Sequence, residues 1–236
     1  MSEHVIIGKR FNGPPNSGHG GYTCGIVAGL IGGIAEVTLR RPIPLDCPIE
    51  IRKLAGGVDL LEGETIVANG VVSRIEIDIP EPVTLEDARA ASNSYLGFKK
   101  HPFPTCFVCG HHRAEGDGLR VFPGPVEKFN IFAAPWTPDS SIMDADGNVG
   151  PEFLWAVLDC PGGWVALSNL NSAAVLGRFA AKVVGAVSPN EHYVAMGWLI
   201  RQESKKIYAG SALFSRTSDL IAFASAIWIK VPSFSF

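Results

Sequence analysis

The segment NSGHGGYTCGIVAGLIGGIAE, Asn16 to Glu36, restricts this chain's folding options more than any other stretch. Seven glycines fall between Gly18 and Gly33, and no formal charge lies between Arg10 and Glu36. Three structures tolerate such a run: a phosphate loop, a membrane helix, and a helix pressed against a neighbour. A dinucleotide loop fails at its sixth position, which is Thr23 when Gly18 is the first, and no Lys-Ser or Lys-Thr completes a Walker loop. A membrane span fails on length. Asn12, Pro14, Pro15, Asn16, Ser17 and His19 fill the first part, and the apolar run from Tyr22 to Ala35 is short of the ~20 residues needed.

The period of the glycines supports the third option. Gly21, Gly25, Gly29 and Gly33 recur every four residues and form one slowly drifting stripe on a helix. Tyr22, Ile26, Val27, Leu30 and Ile31 cover the remaining surface, so the helix is expected to be buried all round. The stripe would bring a neighbouring backbone close, at a propensity cost of about 1 kcal/mol per glycine. Ser17 is the expected N-cap, with Gly18 to Gly21 as the first turn.

Around this helix the composition is that of a globular protein: 236 residues, 47% hydrophobic and 18% charged. That length suits one large domain or two of about 100–130 residues. A net charge of −3 gives no electrostatic case for nucleic acid or an anionic membrane surface. Five cysteines do not read as a disulfide framework. The opening MSEHVIIGKRF lacks the basic and apolar regions of a signal peptide, so a soluble, cytoplasmic protein is expected.

The pattern then runs twice. After the first helix, EVTLRRPI, PIEIRKLAG and ETIVANGVVSRIEIDI alternate as strands between Gly and Pro breaks. The polar stretch EPVTLEDARAASNSYLGFKKHPFP reads as a linker with a short surface helix before Pro102 and Pro104. FNIFAAPW reads as a strand, and DADGNVGPEFLWAVLDC turns into a second apolar helix that should stop near Pro161, Gly162 and Gly163. AAVLGRFAAKVVGAV, EHYVAMGWLIRQES, KKIYAGSALFSR and LIAFASAIWIKV then read as long strands. Two copies of one α+β unit is the economical organisation, with units at 1–85 and 105–236 joined by a linker at 86–104.

His19-Gly20-Gly21 at the first helix start is similar to the His-Gly-Gly motif of hotdog acyl-CoA thioesterases, and Cys106 to Gly124, CFVCGHHRAEGDGLRVFPG, is similar to the opening of many such domains. With the duplication, the chain resembles the double-hotdog thioesterase-like proteins over nearly its whole length. The resemblance implies two tandem hotdog units, each a long central helix wrapped by a curved antiparallel sheet. It implies acyl-CoA or another acyl thioester as substrate, no cofactor, and compatibility with a homodimer through sheet edges. In the family, glycine amides polarise the thioester carbonyl, and a carboxylate seven residues past the second glycine, on the opposite unit, activates water or attacks. Here that position in the first half is Ala28. Laying Gly150-Pro151-Glu152 over the motif places Asp159 at the corresponding position in the second half. One composite cleft would therefore combine Gly20, Gly21 and Asp159; the other, with Pro151, Glu152 and Ala28, would be spent.

Residue chemistry supports that site on its own terms. Free first-turn amides and the helix dipole suit an oxygen gaining negative charge. Asp159 is the one charge beyond Glu152 in an apolar helix, so it should be hydrogen-bonded, have a raised pKa or line a cavity; alternatively it ends the helix and faces solvent. The expected catalytic set is Asp159, Gly20, Gly21 and His19, with His19 donating to substrate or fixing the loop rather than acting as a base. Asn16, Asn148, Glu152 and Trp155 are the expected substrate-side residues. Cys106, Cys109, His111 and His112 form C-x2-C-x-H-H, but no second Cys or His pair lies close in sequence, so no metal is expected. Cys24, Cys47 and Cys160 read as small core residues. Thioester hydrolysis is the leading function, against an acyl-CoA hydratase or dehydratase and a non-catalytic acyl-CoA or lipid binder.

Overall fold

The computed structural model describes residues 3–168 and 173–231, so both outer ends of the two expected units lie outside the described residues. The first half holds β1 (Glu3–Ile6), α1 (Gly20–Ile31), β2 (Ala35–Leu39), β3 (Pro48–Leu54), β4 (Gly57–Glu62) and β5 (Thr65–Val72). A connecting helix, α2 (Leu85–Ser92), follows. The second half holds β6 (Gly124–Val126), β7 (Ile131–Trp136), α3 (Pro151–Ala166), β8 (Ala173–Val183), β9 (Tyr193–Glu203), β10 (Lys206–Ser215) and β11 (Leu220–Val231).

All eleven strands join one antiparallel sheet in the order β1-β3-β4-β5-β2-β8-β11-β10-β9-β7-β6. Counted outward from the β2–β8 seam, each half gives the same sequence of roles. The strand after the helix comes first, then the last strand of the half, then its two predecessors, then the strand before the helix. The duplication is thus visible in topology, and β6 is an addition to the second half. The seam pairs Ala35 with Ala181 and Thr38 with Arg178.

The helices lie on the inner face of this sheet and cross antiparallel. Gly21 meets Asp159 and Trp155, while Gly25, one turn on, meets Glu152. A Cβ at Gly21 would stand 2.6 Å from the Trp155 carbonyl oxygen, and one at Gly25 would stand 2.5 Å from Glu152 Cα. These two glycines do what the stripe suggests. The rest of it does not: Gly29 is exposed with nothing within 4 Å of a Cβ, and Gly33, at φ 88°, lies beyond the end of α1. The N-cap also differs from expectation. His19 takes that place, its side chain accepting from the Tyr22 amide, and Ser17 Oγ instead accepts the Ile43 N–H at 2.9 Å.

Three further elements depart from the sequence pattern. The helix α3 runs through Pro161 to Ala166, because every residue from Phe153 to Ala166 is buried and that packing outweighs one lost backbone bond. Residues 73–84 leave the sheet after Val72, and Ile77 and Ile79 pack against a second apolar cluster built on Met196, Trp198 and Phe214. Helix α2 belongs to that same cluster through buried Ala88 rather than standing on the surface. It packs on β7, β6 and β9, which explains why Tyr193 to Trp198 is buried on both faces without alternation. Among the described residues no helix is long and apolar enough to cross a membrane.

Candidate active site at the helix crossing

Asp159 sits in the middle of α3, only 3% exposed, where the close approach at Gly21 brings the start of α1 against it. The Gly21 N–H donates to Asp159 Oδ2 at 2.7 Å, across 138 positions of sequence. First-turn amides lack intrahelical partners, and α1 directs this one at a carboxylate. The other oxygen, Oδ1, is buried without a hydrogen-bond partner among the described residues. Burial pushes the Asp159 carboxyl up to about 6, with the neighbouring His19 and the Gly21 N–H pulling the other way.

His19 is buried at the same junction. Its Nδ1 accepts from the Tyr22 amide at 3.3 Å, and its Nε2 lies 3.5 Å from Asp159 Oδ2 and 3.5 Å from Cys160 Sγ. Burial alone would lower the His19 pKa, but the Cys106 and Asp159 charges beside it outweigh burial and raise it. Asp159 and His19 therefore form an acid–histidine pair across the two halves, which spacing within α3 alone does not supply.

Beside the pair lies a cavity of about 410 Å³. Gly18, His19 and Gly20 line it from the first half, and Asp159, Trp164, Leu176 and Trp228 from the second. His101, Phe103, Cys106 and Cys109 close it from the connector between α2 and β6, and the exposed Arg40 and Arg41 stand on its wall after β2. The Trp228 indole N–H is a second buried polar group on this wall with no partner among the described residues.

The structure thus gathers His19, Gly20, Gly21 and Asp159 in one place. It sets the expected substrate-side residues elsewhere. Asn16 is exposed in a tight turn at φ 61°, and Asn148 is exposed in the loop closed by Asp144. Glu152 is half-buried at the first turn of α3 against Gly25, and Trp155 is buried edge-on to Phe179 at 5.5 Å. None of these four lines the cavity. Sequence reasoning missed His101, Trp228, Arg40 and Arg41, for which no motif gives a signal. Cys160 is in the hydrophobic core, as expected, and lines the cavity beside Asp159 as well.

No protein-family model matches the sequence, and no curated protein does. Solved structures do resemble it. A tesB protein from Mycobacterium avium subs paratuberculosis matches 98% of this chain and 96% of its own at 12% identity and a TM-score of 0.60. A hypothetical thioesterase protein from Streptococcus pneumoniae TIGR4, solved with coenzyme A, matches 45% of this chain and 85% of its own at 14% identity and a TM-score of 0.42. The PaaI protein of E. coli matches 44% of this chain and 75% of its own at 10% identity and a TM-score of 0.41. At 12% identity the tesB likeness speaks for the fold alone and leaves the chemistry to the site. With the tesB match running end to end over two helix-in-sheet halves joined at β2–β8, the chain has the double-hotdog fold of thioesterase-like proteins.

Proposed function

We propose that the protein hydrolyses acyl thioesters, acyl-CoA above all, in the cavity beside Asp159. The observation that carries this reading is the carboxylate itself. It is buried, held by the Gly21 N–H through one oxygen, and unpaired at the other. A carboxyl near pKa 6 is poised to take a proton from water at neutral pH. The Gly21 amide is engaged by Asp159, so the thioester oxygen is assigned to the neighbouring Gly20 N–H at the positive end of α1. Water attacks the carbonyl carbon as Asp159 takes its proton. Collapse of the tetrahedral intermediate then expels the thiolate, which takes that proton back from Asp159 as it leaves and restores the carboxylate. The apolar wall around Trp164, Leu176 and Trp228 receives the acyl chain, and Arg40 and Arg41 face the phosphates of the carrier.

The Asp159–His19 pair favours a second reading, water addition to an enoyl-CoA, since such chemistry uses an acid–histidine pair. One assay distinguishes the two. Acyl-CoA and enoyl-CoA panels of graded chain length are offered to the wild type and to Asp159→Asn. Asparagine can still accept from Gly21 but cannot take a proton. Hydrolysis that falls by roughly 10²- to 10⁴-fold in the variant supports the thioesterase reading. Water addition without hydrolysis supports the second, and saturable binding with no turnover in the wild type defeats both.

A further inference from the structure

The C-x2-C pair Cys106 and Cys109 meets a cysteine distant in sequence, Cys160, at the cavity wall. Cys106 and Cys109 belong to the connector and Cys160 to α3; all three are at most 6% exposed. The Cys106 thiol interacts with those of Cys109 and Cys160, and Cys109 also interacts with Cys160. His19 joins them from α1: its Nε2 and the sulfurs of Cys106 and Cys160 all lie within 4.8 Å of one another. A lone C-x2-C is half a metal site. The fold supplies the other half from two helices, which is why spacing in the sequence does not disclose it.

We propose that His19, Cys106 and Cys160 bind one zinc ion, with Cys109, whose sulfur lies outside that 4.8 Å group but against Cys106 and Cys160, turning in as the fourth ligand. Tetrahedral zinc with Zn–N of about 2.05 Å and Zn–S of about 2.3 Å has N···S edges of about 3.5 Å. The His19 Nε2 to Cys160 Sγ distance is 3.5 Å. The C-x2-C turn has the required tightness: the Gly110 N–H donates to the Cys106 carbonyl at 2.9 Å, and a Cβ at Gly110 would lie 2.5 Å from the Cys106 backbone. The surroundings also suit thiolates. His101 Nδ1 accepts the Phe103 N–H at 2.8 Å, which leaves the proton on Nε2, 3.1 Å from the Cys109 carbonyl oxygen and 3.4 Å from Cys109 Sγ. That N–H, held beside the sulfur by the carbonyl, can be shared with a zinc-bound thiolate.

Binding takes all three sulfurs as thiolates, releasing the protons of those still protonated, and places the His19 proton on Nδ1, so the long Tyr22 contact at the start of α1 is given up for a Zn–N bond. The ion ties the connector to both helices at their crossing. Asp159 is not a ligand and stays free to act in hydrolysis, but the ion takes the His19 Nε2 that faces Asp159 Oδ2 and so excludes the acid–histidine reading.

The test is metal content, with no activity readout. The full chain, made in zinc-containing medium and purified under reducing conditions without chelator, is compared with Cys160→Ser and with Cys24→Ser. Cys24 is a buried free thiol outside the cluster. The wild type and Cys24→Ser should hold about one zinc per chain, and Cys160→Ser should lose at least ten-fold in occupancy. Cobalt exchanged into the wild type should show sulfur-to-metal charge transfer and the strong visible bands of a tetrahedral thiolate centre. This spectrum decides the matter if Cys160→Ser does not fold. A folded wild type without metal, with a disulfide within the cluster, or with zinc retained in Cys160→Ser overturns the proposal.

Discussion

A carboxylate in the fully buried middle of α3 would be costly to bury uncompensated, and a single amide 2.7 Å away meets only half of its needs. The unpaired oxygen is affordable only if water or substrate completes it, which makes Asp159 the residue on which the site turns. The rim makes a different demand. Arg40 is tied to Asn69 at 2.7 Å, whereas Arg41 is exposed, and both reach the cavity wall. If they meet the carrier's phosphates, replacing both with alanine should raise KM for acyl-CoA roughly 3- to 5-fold, the scale of exposed charge pairs, and leave kcat unchanged. The same acyl group on N-acetylcysteamine, which has no phosphate, should show no change. Added salt should erase the difference between wild type and variant, because the interaction is at the surface. An equal KM rise for both thioesters would show that the arginines shape the wall instead.

Among the elements, α1 shows most clearly what a sequence discloses and what it withholds. Its glycine period announces a helix packed face to face with a neighbour, and Gly21 and Gly25 confirm it. The period does not say where that neighbour ends. Because α3 begins at Pro151, it passes Gly25 with its first turn and leaves Gly29 over open space. The two positions should therefore respond oppositely to one substitution. Gly25→Ala forces a Cβ to within 2.5 Å of the Glu152 backbone and should cost about 1–3 kcal/mol. Gly29→Ala meets nothing and should gain up to about 1 kcal/mol from helix propensity. Denaturant melts of the two variants measure the contrast, and equal shifts would mean that the crossing is looser than drawn. The survival of α3 through Pro161 has the same origin. Local propensity marked a stop there, and fourteen consecutive buried residues from Phe153 to Ala166 overrode it.

At the scale of the whole molecule, the two-unit plan was legible because each half repeats a local pattern of helix and strands. The joint between them was not, because it rests on pairings no local pattern encodes. These are β2 with β8 and α1 with α3, together with the convergence of His19, Cys106 and Cys160. The same pairings make the halves energetically dependent on each other. Phe179 shows how: it is fully buried on β8, pairs across the seam with Val37, and packs edge-on against Trp155 of α3. Unfolding either half would strip the other of its sheet neighbour and its helix partner, so calorimetry should show one cooperative transition. Phe179→Ala should cost about 3–5 kcal/mol. For a chain of this size, that lowers the whole transition by roughly 6–20 °C. Two resolved transitions, with only the second half's moved by the substitution, would show instead that the units fold independently and that the seam is a contact between finished domains.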